Sequence, residues 1–236
     1  MSADRSSDRR EFLQRLAIGG AALGALPSLL NAATAPSVSP LSAAAMLREP
    51  VAQDYDVSWP KKLTGKHKAV FDSPDIDGGL GVLRAGVVPK QYVDAFKLAA
   101  GDFTPVLVLR HFGIHLAMNP TYWATYGIGK KFNVKHPLTE QPIDINPALL
   151  RESDGVPAMF AELALDKQIA RGTIVLGCAL AFGDVVDLIA NADKLAPAAA
   201  ESKAKSMLMP GIVMQPSGVF ATTLAQEHGC AYVRAT

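Results

Sequence analysis

Cysteine is scarce in this sequence of 236 residues, which has only two, Cys178 and Cys230. The two do not form a Cys-x-x-Cys pair, so dithiol exchange of the thioredoxin type is excluded within one subunit. The sequence also lacks the His-Glu-x-x-His zinc signature and the Gly-x-Ser-x-Gly nucleophile elbow. These absences argue against dithiol oxidoreductases, zinc proteases of that class and α/β-hydrolases as candidate functions.

An excess of charge of one sign is also missing, because 23 Lys and Arg residues oppose 22 Asp and Glu residues. The sequence contains no basic cluster with interleaved aromatic residues and no internal repeat. A nucleic acid or an anionic membrane surface is therefore not an expected partner. No apolar run reaches the length of about 20 residues that a transmembrane helix needs, so no membrane span is expected.

Paired arginines stand near the amino terminus, in residues 8–14 (Asp-Arg-Arg-Glu-Phe-Leu-Gln), and this segment resembles the twin-arginine export consensus. A weakly apolar stretch follows over residues 16–30, and small residues come after it. The alternative is a chance arginine pair in an amino-terminal tail. We interpret residues 1–35 as a twin-arginine signal peptide. This predicts the twin-arginine translocase as a partner and a periplasmic location.

Strands alternate with helices over most of the remaining chain. Residues 36–66, rich in Pro, Ser and Ala and then in turn formers, are interpreted as a linker and an irregular arm. Residues 67–236 read as βαβ units, with a less regular insertion at about 112–150. The expected fold is a three-layer α/β/α domain with a mostly parallel five-stranded sheet. Strands are predicted at 67–72, 105–110, 173–177, 210–215 and 231–234, and helices at 89–100, 156–171, after Cys178, at 197–207 and at 218–229.

Cys178 directly follows a buried apolar strand and precedes a helix. In open α/β sheets, ligands bind at the carboxyl ends of the strands, and a helix N-terminus lowers the pKa of a thiol because its dipole favours the thiolate. The alternative is that Cys178 is a small buried apolar residue. Cys230 precedes the last strand and therefore belongs at the opposite edge of a parallel sheet. The two thiols should be too far apart to form a disulfide.

Other reactive side chains are expected beside Cys178, because parallel strands end at one edge of the sheet. Arg110 ends an apolar strand, where a guanidinium needs an anionic partner or a wet rim, and it favours a thiolate. His111 can exchange a proton near neutral pH. Cys178, Arg110 and His111 are the candidate catalytic residues.

A second set of residues is predicted to bind ligand at the same edge. Two of them have alternative roles, Ser217 as a helix cap and Asp72 as a residue that fixes its own turn. The candidate ligand-binding residues are Asp72, Ser217, Gly218 and His115.

Two pairs of residues have spacings that can bind a metal. His111 and His115 are four residues apart, which on a helix is metal-ligand spacing, but Gly113 intervenes and no third ligand is evident. The alternative is one histidine at the rim and one packed in the core. His228 and Cys230 could also bind a metal, although a histidine near a helix C-terminus commonly compensates the helix dipole. No metal site is predicted, and the sequence identifies no cofactor.

The carboxyl-terminal sequence carries a resemblance to a known family. Residues 215–233 (QPSGVFATTLAQEHGCAYV) resemble the ending of DsrE/DsrF-like proteins, in which Pro-(Ala/Ser)-Gly-Val follows a strand and a Tyr-bearing strand follows a helix. Gly177-Cys178 resembles the cysteine that follows the family's central strand. The likeness is good over residues 155–234 and weak over 67–111. The export signal, the arm and the insertion are departures from the family.

The resemblance implies a three-layer α/β/α fold, assembly into trimers or hexamers, and a persulfide carried on Cys178. The leading hypothesis is a periplasmic sulfur carrier, or a redox- or sulfur-responsive protein, that exchanges sulfur with a donor or acceptor protein. Such a protein is a carrier more than a hydrolase or an oxidoreductase. The alternative is a non-catalytic module for a small ligand, a metal or heme. In that case the 112–150 insertion, with Tyr122, Trp123, Tyr126 and His136, would be its lid. A structural subunit without a site is the third possibility.

Overall fold

Five short strands form one parallel sheet in the computed structural model, which describes residues 54–99 and 101–236. The strand order is β4-β3-β2-β1-β5, and every neighbouring pair is parallel. The expected five-stranded, mostly parallel sheet is confirmed. The strands are β1 (His67–Ser73), β2 (Phe103–Leu109), β3 (Ile174–Cys178), β4 (Ile212–Gln215) and β5 (Ala231–Arg234).

Helices of very different lengths connect these strands. The α-helices of the described residues are α1 (Leu80–Phe96), α2 (Pro120–Tyr126), α3 (Ile128–Lys131), α4 (Ala158–Ala161), α5 (Leu165–Ala170), α6 (Ala179–Asp193), α7 (Pro197–Met207) and α8 (Gly218–Glu227). Short 3₁₀ turns cover Trp59–Lys62, Asp77–Gly79, His111–Ala117, Pro147–Leu149 and Glu152–Asp154.

Both faces of the sheet are buried, as a parallel sheet requires. Alternate residues of β2 enter different cores: Leu107 and Leu109 belong to the core that includes α1 and α6, and Val106 and Val108 to the core under α8. Each such side chain contributes about 1.5–3 kcal/mol when it leaves water. Helices on both faces make the three layers that the sequence predicted.

Helix α1 differs from the helix predicted at 89–100. It begins at Leu80, and Pro89 lies inside it rather than in its first turn. The start is set by Gly79, whose φ of 81° is a conformation that glycine adopts without strain. The end comes at Lys97, which takes a left-handed conformation with φ 54°, and not at Gly101. Pro89 provides no N–H for a helical hydrogen bond, and the helix nevertheless continues through it.

The single helix predicted at 156–171 is wrong, because α4 and α5 are separate. Ala164 between them is extended, with ψ 148°. The buried amide of Gln168 donates through Nε2 to the carbonyls of Leu163 and Val82, at 2.6 and 2.7 Å, so the break is stabilised by a side chain. Asp154, just before this segment, accepts from the backbone N–H of Arg151 and does not cap either helix.

The described part of the arm, residues 54–66, packs against the domain. Trp59 is completely buried in the core under α8, and its Nε1 donates to Gln215 Oε1 at 3.1 Å. Gln215 Nε2 in turn donates to the carbonyl of Asp56 at 2.8 Å. The arm is therefore fastened to the end of β4. The predicted signal peptide and the start of the linker lie outside the described residues.

Crossing a bilayer requires a helix that is both long and apolar. Among residues 54–99 and 101–236, none of the helices meets that requirement.

Candidate functional site

Asp72 and Arg110 form an ion pair where β1 and β2 end. Arg110 donates from Nε to Asp72 Oδ1 at 2.7 Å and from Nη2 to Oδ2 at 2.8 Å, so the pair is bidentate. The side chain of Asp72 is only 3% exposed and that of Arg110 is 30% exposed. The hydrogen bond to Asp72 is the main cause that raises the pKa of Arg110 above its usual value. Arg110 is thus a fixed cation with one side open to solvent.

Tyr232 completes this pair from β5. Its hydroxyl donates to Asp72 Oδ2 at 2.7 Å, and that hydrogen bond raises the pKa of Tyr232 above its usual value. The carboxylate of Asp72 therefore accepts three hydrogen bonds, which offset the cost of burying its charge. Sequence reasoning missed Tyr232. An alternating strand places it on one face, but the pairing register that brings it to Asp72 is a tertiary property.

The start of α8 lies directly against Arg110. A Cβ on Gly218 would be 2.4 Å from Cβ of Arg110, so only glycine permits this approach. Ser217 caps α8, since its Oγ accepts from the N–H of Phe220 at 3.0 Å. The helix-cap alternative for Ser217 is confirmed, and Gly218 is at the predicted edge as a close-packing residue.

Cys178 is both the last residue of β3 and the N-cap of α6. Its Sγ accepts from the N–H of Ala181 at 3.4 Å. The residue is 6% exposed. Besides the larger contributions of Asp72, an electrostatic contribution from Cys178 also raises the pKa of Arg110. The structure thus places Cys178 and Arg110 at one edge, at strand ends far apart in the sequence.

His111 follows Arg110 and begins the 3₁₀ turn that leaves the edge. Its φ of 49° is left-handed, and its ring centroid lies 4.0 Å from that of Phe112. The tight turn depends on Gly113, where a Cβ would be 2.2 Å from the carbonyl oxygen of Ser73. His111 is half-buried and directly follows Arg110 in the chain.

His115, a candidate ligand-binding residue, is packed inside the protein. It is buried, with Nδ1 2.8 Å from the hydroxyl of Tyr122 and its ring centroid 4.6 Å from that of Phe132. Burial lowers its pKa to about 3. The packed-histidine alternative therefore describes His115, and the turn at Gly113 separates it from His111.

The aromatic residues of the insertion pack in or against the core. Tyr122 and Trp123 are completely buried, and Trp123 Nε1 donates to the carbonyl of His115 at 2.8 Å. The hydroxyl of Tyr126 donates to Asp193 of α6 at 2.7 Å. These contacts hold the insertion against the sheet. His136 is also buried.

Both cysteines are free thiols. Cys230 lies before β5, at the amino end of the sheet, and burial raises its pKa. Within the described part of the chain, no group of three or more His, Cys, Asp or Glu side chains is arranged to hold a metal ion.

Comparison with known proteins identified no relative of this protein. No protein-family model matches the chain, and no match was found among curated proteins or solved structures. The site is therefore interpreted from its own residues.

Proposed function

We propose that this protein is an exported, DsrE-like carrier or sensor that holds sulfur or a redox modification on Cys178. The observation that supports it most is the position of the thiol. Cys178 ends a strand, caps a 15-residue helix and lies at the same edge as a fixed guanidinium. A helix N-terminus and a nearby cation both favour a thiolate over a thiol.

Arg110 is suited to bind the incoming sulfur species. Two of its three guanidinium nitrogens bind Asp72, whereas Nη1 makes no hydrogen bond within the described residues. Asp72, itself held by Tyr232, fixes the guanidinium plane. Nη1 can therefore donate a hydrogen bond to an anion with little reorganisation. Because Cys178 is only 6% exposed, the reagent must be small. Inorganic polysulfide is small and anionic.

The proposed step transfers one sulfur atom. The Cys178 thiolate attacks the terminal sulfur of a polysulfide dianion and forms a new S–S bond. The bond between that sulfur and its neighbour breaks, and its electron pair leaves with the shortened polysulfide. The product is a persulfide anion on Cys178. We assign His111 as the group that accepts the thiol proton before the attack.

Intact-mass spectrometry after polysulfide treatment tests this proposal. Wild-type protein and Cys230→Ser should each gain sulfur, and Cys178→Ser should gain none. Cys230→Ser is the matched control because both cysteines are equally buried. An unmodified wild-type mass, or an adduct that persists in Cys178→Ser, would contradict the assignment.

Export, assembly and an exchange partner belong to the same proposal. The twin-arginine pattern supports transport to the periplasm, and the family resemblance supports a trimer or hexamer that exchanges sulfur with a partner protein. Replacing Arg9 and Arg10 by lysine should stop export, so that cell fractionation finds the protein in the cytoplasm and not in the periplasm. Light scattering of the purified protein gives the oligomer size directly.

Binding of a metal or heme by the insertion has less support. Its four proposed lid residues are Tyr122, Trp123, Tyr126 and His136. Three of them are buried, and all four make hydrogen bonds inside the protein.

A further inference from the structure

An apolar cavity of about 280 Å³, partly open to solvent, lies between the start of α1, the insertion and α4. Its lining consists only of Gly, Pro, Ala, Val, Leu and Phe residues, so no ionisable or hydrogen-bonding side chain faces it. Three segments form its walls, represented by Leu80 and Leu83 of α1, Leu138 and Ala148 of the insertion, and Phe160 and Leu163 around α4.

Buried His136 holds one part of the insertion wall. Its Nδ1 accepts from the backbone N–H groups of Leu138 and Thr139, both at 3.2 Å. Its Nε2 lies 3.1 Å from the carbonyl of Asp154 and donates to it, which identifies the Nε2–H tautomer. The polar backbone of this segment is therefore satisfied by His136 and not by water in the cavity.

Asn146 holds the other part of the same wall. Its Nδ2 donates to the carbonyls of Leu116 and Met118 at 3.0 and 2.8 Å, and its Oδ1 accepts from the N–H of Ala148 at 2.9 Å. Asn146 is buried. Two buried polar side chains thus fix the wall in place, so that the cavity is preformed rather than opened by its ligand.

We propose that this cavity binds a small, uncharged, apolar molecule. A cavity of about 150 Å³ lined by apolar side chains binds benzene. A volume of about 280 Å³ therefore matches a substituted benzene or a two-ring aromatic. An apolar ligand is favoured over a charged one because no lining side chain offers a counter-ion or a hydrogen bond.

Toluene and benzoate are matched probes, since they share a ring and differ in charge. Toluene should raise the melting temperature, because a ligand that binds only the folded state stabilises it. Benzoate should bind more weakly than toluene, because no lining side chain offers its carboxylate a counter-ion or a hydrogen bond. Equal effects of the two probes would show that they act elsewhere or non-specifically.

Substitutions at the cavity locate the binding. Leu83→Trp should fill the space and abolish the toluene effect, and Leu180→Trp, the same exchange at an exposed position on α6, should leave it unchanged. If Leu83→Trp does not fold, Phe160→Ala decides. It enlarges the cavity, so the affinity for naphthalene relative to toluene should rise roughly tenfold. An unchanged ratio in Phe160→Ala, or a toluene effect that survives in folded Leu83→Trp, overturns the proposal.

This cavity is independent of the proposed sulfur chemistry. Its lining includes none of the residues proposed for the sulfur chemistry, which are Cys178, Arg110, His111, Asp72 and Tyr232. Cys178→Ser should therefore bind toluene as wild type does, and Leu83→Trp should still form a persulfide. The two results separate failure of one proposal from failure of the other.

Discussion

His115 is a buried neutral imidazole, and its surroundings make the stability of the fold depend on pH. Its pKa is about 3 in the folded protein against 6.5 in an unfolded chain. Between pH 3 and 6.5, His115 is protonated in the unfolded chain but stays neutral in the folded protein. The contribution of His115 is therefore fully present above pH 6.5 and is lost as pH falls towards 3. One such group changes the free energy of unfolding by up to about 1.4 kcal/mol per pH unit.

We predict that His115→Asn flattens this dependence. The amide oxygen of asparagine lies near the position of Nδ1, so it can accept from Tyr122, while the ring contact with Phe132 is lost. Stability at pH 7 should fall by roughly 1–3 kcal/mol, but the slope between pH 6.5 and 4 should shrink. Urea unfolding at a series of pH values measures both. His228→Asn, at an exposed histidine, is the control, and a wild-type slope in His115→Asn would assign the effect to another group.

The two thiols should differ in reactivity although both are buried. Cys178 caps α6, whereas burial raises the pKa of Cys230. We predict that a small alkylating reagent modifies Cys178 first and that non-reduced monomer contains no Cys178–Cys230 disulfide. Peptide mapping after timed alkylation reads both results. Faster modification of Cys230, or a cross-linked peptide, would be incompatible with the positions of the two strands.

Helix α8 depends on its cap. Ser217→Ala removes the acceptor for the N–H of Phe220, and we expect it to lower stability by about 1 kcal/mol. Ser217→Gly should lower stability by only a few tenths of a kcal/mol, because glycine is tolerated at the N-cap position. Ser206→Ala, on the exposed side of α7, is the control and should change stability by less than about 0.5 kcal/mol. Thermal unfolding compares the three; equal losses in the two alanine variants would mean that the cap contributes nothing specific.

Elements with clear local signals could be predicted, and those set by distant contacts could not. Helix α7 follows Ala196 with Pro197 in its first turn, and β5 comes shortly after Gly229, so both have the predicted bounds. The break between α4 and α5 depends on Gln168, which reaches back to Val82 in α1. No local pattern in the segment 156–171 reports that contact.

The indole of Trp59 is one of the groups that hold the arm to the domain. We predict that Trp59→Phe removes the hydrogen bond to Gln215 and leaves its buried oxygen unpaired, at a cost of about 1–3 kcal/mol. Trypsin should then cleave faster after Lys61 and Lys62, which are exposed in the adjacent turn. Trp123→Phe also removes a buried indole hydrogen bond, but it should not accelerate cleavage there. Equal acceleration in both variants would indicate global unfolding instead of release of the arm.

In the candidate site, too, some features could be predicted from the sequence and others depend on tertiary contacts. Parallel topology, which the alternation of strands and helices predicts, was enough to place Asp72, Arg110 and Cys178 at one edge. Two residues from other parts of the chain bind side chains at the strand ends. Tyr232, from the outer strand β5, binds Asp72, and Trp59, from the arm, binds Gln215. Their identities depend on strand order and register, which a single sequence does not encode locally.

Strand β1 pairs with β2 on one side and with β5, the last strand of the chain, on the other. During synthesis, that second side of β1 stays unpaired until β5 has left the ribosome. Contacts between residues so far apart in sequence are slow to form, and an unpaired strand edge is prone to aggregation meanwhile. Pairing of β1 with β5 is therefore a late step in the assembly of the sheet, and it removes an edge at which partly folded chains could associate.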